Sequence, residues 1–166
     1  MAKRSLTPGE IALAQDIFGA GLPYDRIRFS EGSGGNPAAL AAFRNGNTAI
    51  TLRRTVYFAP GRFRPDFALG SVHDQELFAH EMTHVWQYAR IGFARFMLRY
   101  ARELASVRFD APALYRYQAG VTRFAEARLE AQAQMVGEYL QATLEGQEVW
   151  KAAIGRSLAR SKLYRL

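Results

Sequence analysis

The 166-residue chain contains no cysteine. That excludes disulfide scaffolds, thiolate zinc sites, iron–sulfur clusters and cysteine nucleophiles. Histidine is almost as scarce. His73, His80 and His84 are the whole supply, so any imidazole chemistry has a short list of candidates. No stretch approaches the roughly 18 consecutive apolar residues of a transmembrane helix. Lys3 and Arg4 near the start have no apolar run behind them, so no conventional secretory signal is visible. The expectation is a cytoplasmic protein, with any export by a signal-less route.

Hydrophobic residues make up 49% of the chain and charged residues 22%. These proportions and the length suit one globular domain over residues 1–166, able to bury a core without a disulfide or metal staple. Acidic residues are the minority charge, 15 against 22 Lys plus Arg, for a net +7. The imbalance permits an acidic partner without naming one. It is concentrated at the C-terminal end, where Lys151, Arg156, Arg160, Lys162 and Arg165 occur with no Asp or Glu. Ile154, Leu158 and Leu163 fall on one helical face among them, so a basic amphipathic helix over about 147–163 is expected as an appendage. A solvated face is its plain reading; an acidic protein, an anionic lipid surface or, less favoured, a nucleic acid is the alternative. Arg90, Arg95, Arg99 and Arg102 line one side of a second helix over 93–106. Its aromatic side, with Phe93, Phe96, Met97 and Tyr100, suits either core or docking.

Thr7-Pro8-Gly9-Glu10 reads as a capping box with proline at the first helical position. Extended segments are expected at Ile27–Phe29, Ala39–Arg44, Thr48–Leu52 and Thr55–Phe58, with Asn45-Gly46 as a hairpin turn. After Ser71 the pattern is helical, over roughly 72–90, 93–106, 121–144 and 147–163, broken at Phe109–Gly120. Strands followed by helices define an α+β class.

His80-Glu81-Met82-Thr83-His84 is an H-E-x-x-H sequence within the strongest predicted helix. Helical spacing puts the two histidines on one face, one turn apart, within reach of a single ion, with Glu81 beside them as a general base. Leu77, Phe78, Ala79, Met82, Thr83, Val85 and Trp86 carry no charge, as a central helix requires; Phe78 and Trp86 read as core. From this composition an accidental match arises in only about 0.3% of such chains.

A catalytic zinc site takes three protein ligands and keeps a fourth position open. No histidine follows His84, and Arg90 stands where one six residues on would stand. His73 lies about two turns from His80, too far along the axis, and reads as a helix-start residue. The third ligand is therefore sought among the downstream carboxylates, and the 121–144 helix is the best placed to pack on the motif helix. Glu130 is favoured by its small neighbours Ala131 and Ala133; Glu126, one turn earlier, is the alternative. Tyr115 and Tyr117, in the break before that helix, are candidate donors to a developing oxyanion, although packing is the commoner use of tyrosine.

The run Phe78–Tyr88, and with it Leu129-Glu130-Ala131-Gln132-Ala133-Gln134, resembles small bacterial gluzincin-type domains. These are the Vgr-related zincin-like proteins and the core metallopeptidase-like domain of contractile injection systems. The resemblance covers about residues 37–140 and is specific at these two segments. It implies a zincin-like minigluzincin fold, a small N-terminal sheet beside a central metal-binding helix followed by further helices, with Glu130 as third zinc ligand. Gln134 departs from the pattern, since many relatives carry an acidic residue there. The resemblance further implies a zinc-dependent metallopeptidase that binds a peptide or protein substrate as an extended strand on an edge strand, Thr55–Phe58. The alternative is a catalytically weak or inactive binding or assembly module tied to a bacterial secretion or contractile injection system.

Overall fold

The computed structural model describes residues 2–159 together with Ser161 and Leu163. After a short strand β1 (Lys3–Arg4), helix α1 (Pro8–Phe18) begins at the expected box, Thr7 Oγ1 accepting from Glu10 N and Glu10 from Thr7 N. Glu10 is fully buried and is held by both terminal nitrogens of Arg4, at 2.7 and 2.6 Å, and by Phe67 N. A buried carboxylate needs such pairing, and this one ties β1, α1 and the 67–69 turn together.

Strands β2 (Arg28–Glu31), β3 (Ala49–Leu52) and β4 (Thr55–Phe58) complete a four-stranded sheet of order β1-β2-β4-β3. β2 and β4 run parallel, and the outer pairs are antiparallel. β4 is therefore interior, bonded on both sides, and cannot be the edge that receives an added strand. The edge beside the helices is β3.

The expected extended run at Ala39–Arg44 is instead helix α2 (Pro37–Arg44). Asn36 caps it by accepting from Ala38 N and Ala39 N, Pro37 fits its first turn, and the alanines favour it. Asn45-Gly46 ends that helix rather than turning a hairpin; Gly46 has the positive φ, 88°, of a helix-terminating glycine. The hairpin turn lies at Arg53-Arg54, with Arg53 at φ 58°.

Helix α3 (Val72–Ile91) starts at a second box, Ser71 with Asp74, and stops at Gly92. Phe78, Ala79, Met82 and Val85 face the sheet, where Phe29, Phe58, Phe67 and Phe78 form one aromatic cluster with Phe58 and Phe67 stacked at 4.6 Å. Phe78 is fully buried; Trp86 is half-buried with its ring edge-on to Phe124. Helix α4 (Phe93–Ser106) buries only Phe96 fully. Helix α5 (Leu129–Leu144) packs along α3. It begins at residue 129, not 121. Phe124–Glu126 is a 3-10 turn with Phe124 buried, and its carbonyl accepts from Gln132 Nε2. Tertiary burial thus overrides the local helical pattern. Helix α6 (Glu148–Leu158) is shorter than the expected 147–163. Ile154, Leu158 and Leu163 are buried as their spacing implied; Arg160, Lys162 and Arg165 lie outside the described residues. No helix among the described residues is long and apolar enough to cross a membrane.

The architecture is α+β: among the described residues, a four-stranded sheet and six α-helices, with α3 between the sheet and α5.

Candidate metal centre

His80 and His84 project from one face of α3 toward the first turn of α5, where Glu130 waits. His80 Nε2 lies 3.4 Å and His84 Nε2 3.2 Å from the same oxygen of Glu130. The ligand-capable atoms of the three residues all fall within 4.8 Å of one another. Both histidines turn their far nitrogens to a common point, as imidazoles sharing an ion must.

The structure also settles how His84 is oriented. Its Nδ1 is 2.8 Å from Gln87 Oε1, while Gln87 Nε2 donates to Leu129 O at 3.0 Å and Gln132 Oε1 at 2.9 Å. A carbonyl oxygen such as Leu129 O only accepts, so the Gln87 amide can sit only this way round. Its Oε1 must then accept from an Nδ1–H, which leaves the Nε2 lone pair of the neutral ring directed at Glu130. That is the tautomer a metal ligand requires. The chain Phe124–Gln132–Gln87–His84 runs through the α3–α5 interface and fixes ring and helix together.

Electrostatics agree with the geometry. Burial alone would lower the His84 pKa, but the Glu130 carboxylate outweighs it and pushes the imidazole up to about 9. Burial would raise Glu130, yet the charge on His84 and the bonds from both histidines hold its carboxyl well below the usual range. Both shifts favour a protonated His84 paired with the Glu130 carboxylate. Two imidazole nitrogens and one carboxylate oxygen converge, those of His84 and Glu130 buried and that of His80 partly so, a donor set suited to zinc.

Glu81 points into the same cleft and is buried. Thr51 on β3 donates to its Oε2 at 2.6 Å. Gly137 lets α5 approach α3, since a Cβ there would meet Glu76 O at 3.1 Å and Glu76 Cγ at 3.2 Å. Glu103 of α4 accepts from Leu129 N at 2.9 Å and is braced by Arg99, whose guanidinium also reaches Ala127 O. This supplies the start of α5 with the cap that Arg128 does not provide. Thr51, Gly137 and Glu103 carry no motif signal; Gln87 had one, as the i+3 neighbour of His84 on α3.

Of the two tyrosines, the structure places Tyr115 at the site, its ring stacked on His80 at 5.9 Å and 17°. Burial and the nearby Glu130 charge hold its hydroxyl protonated, well above the usual phenol range. Tyr117 is not at the site; its hydroxyl donates to Glu138. Glu126 is not at the site either. It is exposed on the 3-10 turn, paired with Arg123, and absent from the cluster because the helix that would have carried it starts three residues later. His73 is exposed and contacts Glu76, at 3.5 Å.

Residues 12–92, from α1 through α3, match the family model of the eCIS core domain. The similarity supports a Vgr- and contractile-injection-related protein. The type VI secretion system spike protein VgrG2b of Pseudomonas aeruginosa is 33% identical over 88 residues, which are 52% of this chain and 8% of that protein. The chain therefore corresponds to a small part of the spike protein's length. The effector domain of Pseudomonas aeruginosa VgrG2b has the same fold, with a TM-score of 0.63 at 24% identity over 95% of this chain and 83% of that one.

Proposed function

We propose that the chain is a zinc-dependent peptidase of minigluzincin type that works with a secretion or contractile injection apparatus. One observation carries the reading: His80, His84 and a single Glu130 oxygen converge beside Glu81, at the open edge of β3. Zinc held by His80, His84 and Glu130 would polarise a peptide carbonyl and acidify a water at the site. Glu81, positioned by Thr51, accepts the proton of the attacking water and returns it to the leaving amine as the C–N bond breaks. The Tyr115 hydroxyl, kept protonated, donates to the oxygen that gains charge.

The substrate is bound as an extended strand on β3. Thr48 O accepts from Ala59 N, and in an antiparallel ladder the exchange alternates. The register Ala49↔Phe58 and Thr51↔Val56 then turns the N–H and C=O of Ala49 and Thr51 away from β4. Those groups are free to pair with an incoming backbone.

Metal analysis alongside hydrolysis of an unfolded protein tests the proposal. Wild type should carry about one zinc and cleave, chelator should abolish cleavage, and Glu81→Gln should keep zinc and lose turnover. Full activity in Glu81→Gln would end the assignment. A second reading, a binding or assembly module of such an apparatus with little turnover, is favoured by the matches to the eCIS core domain and to a spike protein. It stands if the zinc-loaded wild type cleaves nothing while still associating with a spike component.

A further inference from the structure

The cleft that runs along β3 has two unlike halves, which meet at His80, Glu81 and Tyr115. Toward the C-terminal end of β3 its walls are Leu52, Tyr88, Phe96, Met97 and Tyr100. Here the aromatic side of α4 stands against α3, with Phe96 stacked on Tyr88 at 3.9 Å and Met97 41% exposed. Toward the N-terminal end the walls are polar: Asn47, Thr48, His73, Glu76 and Gln134. The Glu76 side chain remains 24% exposed there, packed beside Gly137. No Lys or Arg lines either half among the described residues, although the chain carries a net +7. The cleft's carboxylates are Glu76, Glu81 and Glu130, and Glu76 is the one that lies away from the histidine pair, on the polar half.

A peptide added antiparallel to β3 runs from the Leu52 end toward the Asn47 end, with its scissile bond beside Glu81. We infer that the cleft selects a peptide with a large apolar residue on the N-terminal side of the scissile bond and Lys or Arg on the C-terminal side. The first packs against Phe96, Met97 and Tyr100, and the second faces Glu76. The inference rests on the peptide-binding reading of the site but not on turnover.

It is tested on zinc-loaded Glu81→Gln by fluorescence anisotropy with labelled peptides that differ only at the two central positions. Leu-Lys and Phe-Arg centres should bind at least tenfold tighter than Asp-Lys, Leu-Glu or the reversed Lys-Leu. Adding Met97→Lys should erase the apolar preference alone. Adding Glu76→Lys should turn the preference for Lys over Glu around, leaving the apolar preference intact. Equal affinity for all centres, tighter binding of Lys-Leu, or no binding of any peptide overturns the inference. Cleavage by wild type at sites without the pattern also overturns it and leaves the peptidase proposal standing. Patterned binding without cleavage by wild type does the reverse.

Discussion

Replacing Gln87 by leucine removes the side chain that links His84 Nδ1 to the start of α5. Gln87 is 2% exposed and makes three hydrogen bonds, to His84 Nδ1, Leu129 O and Gln132 Oε1. Leucine fills nearly the same volume, so little cavity forms, but three buried polar groups lose a partner. Each orphaned group costs roughly 1–3 kcal/mol. With partial relaxation of Gln132, the metal-free protein should lose about 3 kcal/mol in urea unfolding. The effect on metal binding is separate. With Nδ1–H unheld, the His84 ring can rotate and exchange tautomers, and loss of such an outer partner weakens binding about 10–100-fold. A chelator competition under conditions where both proteins are folded measures this directly. Gln132→Leu is the control: it breaks the same chain one link farther away, so it should lower stability while leaving zinc affinity within about threefold. Zinc affinity in Gln87→Leu equal to that of wild type would refute the orienting role, whatever happened to stability.

Thr51→Val keeps the strand residue and its shape but removes the donor to Glu81 Oε2; kcat on an unfolded substrate should fall about tenfold with zinc content unchanged. Gly137→Ala adds a Cβ 3.1 Å from Glu76 O, so α5 must shift. Zinc affinity should fall in chelator competition even though alanine is the better helix former by about 1 kcal/mol. The metal-free protein should be pH-sensitive through His84, whose pKa is raised from 6.5 to about 9. The protonated pair with Glu130 stabilises fully below about pH 6.5 and is lost as pH rises through 9, so unfolding midpoints without metal should drop between pH 7 and 10. In the proposed site zinc would displace the His84 proton, so zinc affinity should itself rise with pH over the same range, as read by titration in non-chelating buffers. Glu103→Ala uncaps α5, and urea unfolding should show a loss of about 1 kcal/mol.

Much of this was legible in the residues because the deciding physics is local. Thr7 with Glu10 and Ser71 with Asp74 specify their helix starts through side chains three residues from the groups they satisfy. The one-turn spacing of His80 and His84 follows from helical geometry alone. Scarcity did the rest: with no cysteine and no histidine after His84, the third donor could come only from a carboxylate or from His73 upstream. Burial of Ile154, Leu158 and Leu163 likewise follows from their periodicity.

Tertiary structure decided what depended on distant neighbours. The 121–128 segment has helical composition, but burying Phe124 and bonding its carbonyl to Gln132 holds it in a 3-10 turn, and that separates Glu126 from Glu130. Strand order cannot be read from strand sequence, so only the folded sheet placed β4 inside and left β3 as the open edge. Tyr115 and Tyr117 are equivalent by sequence position; the path of the chain after α4 brings one onto His80 and sends the other to Glu138. Thr51 and Gln87 became parts of the site because partners 30 and 42 residues away in the chain arrived beside them. Helix and cap are settled over four residues, whereas an edge, a pocket or a hydrogen-bonded relay exists only where separate segments meet.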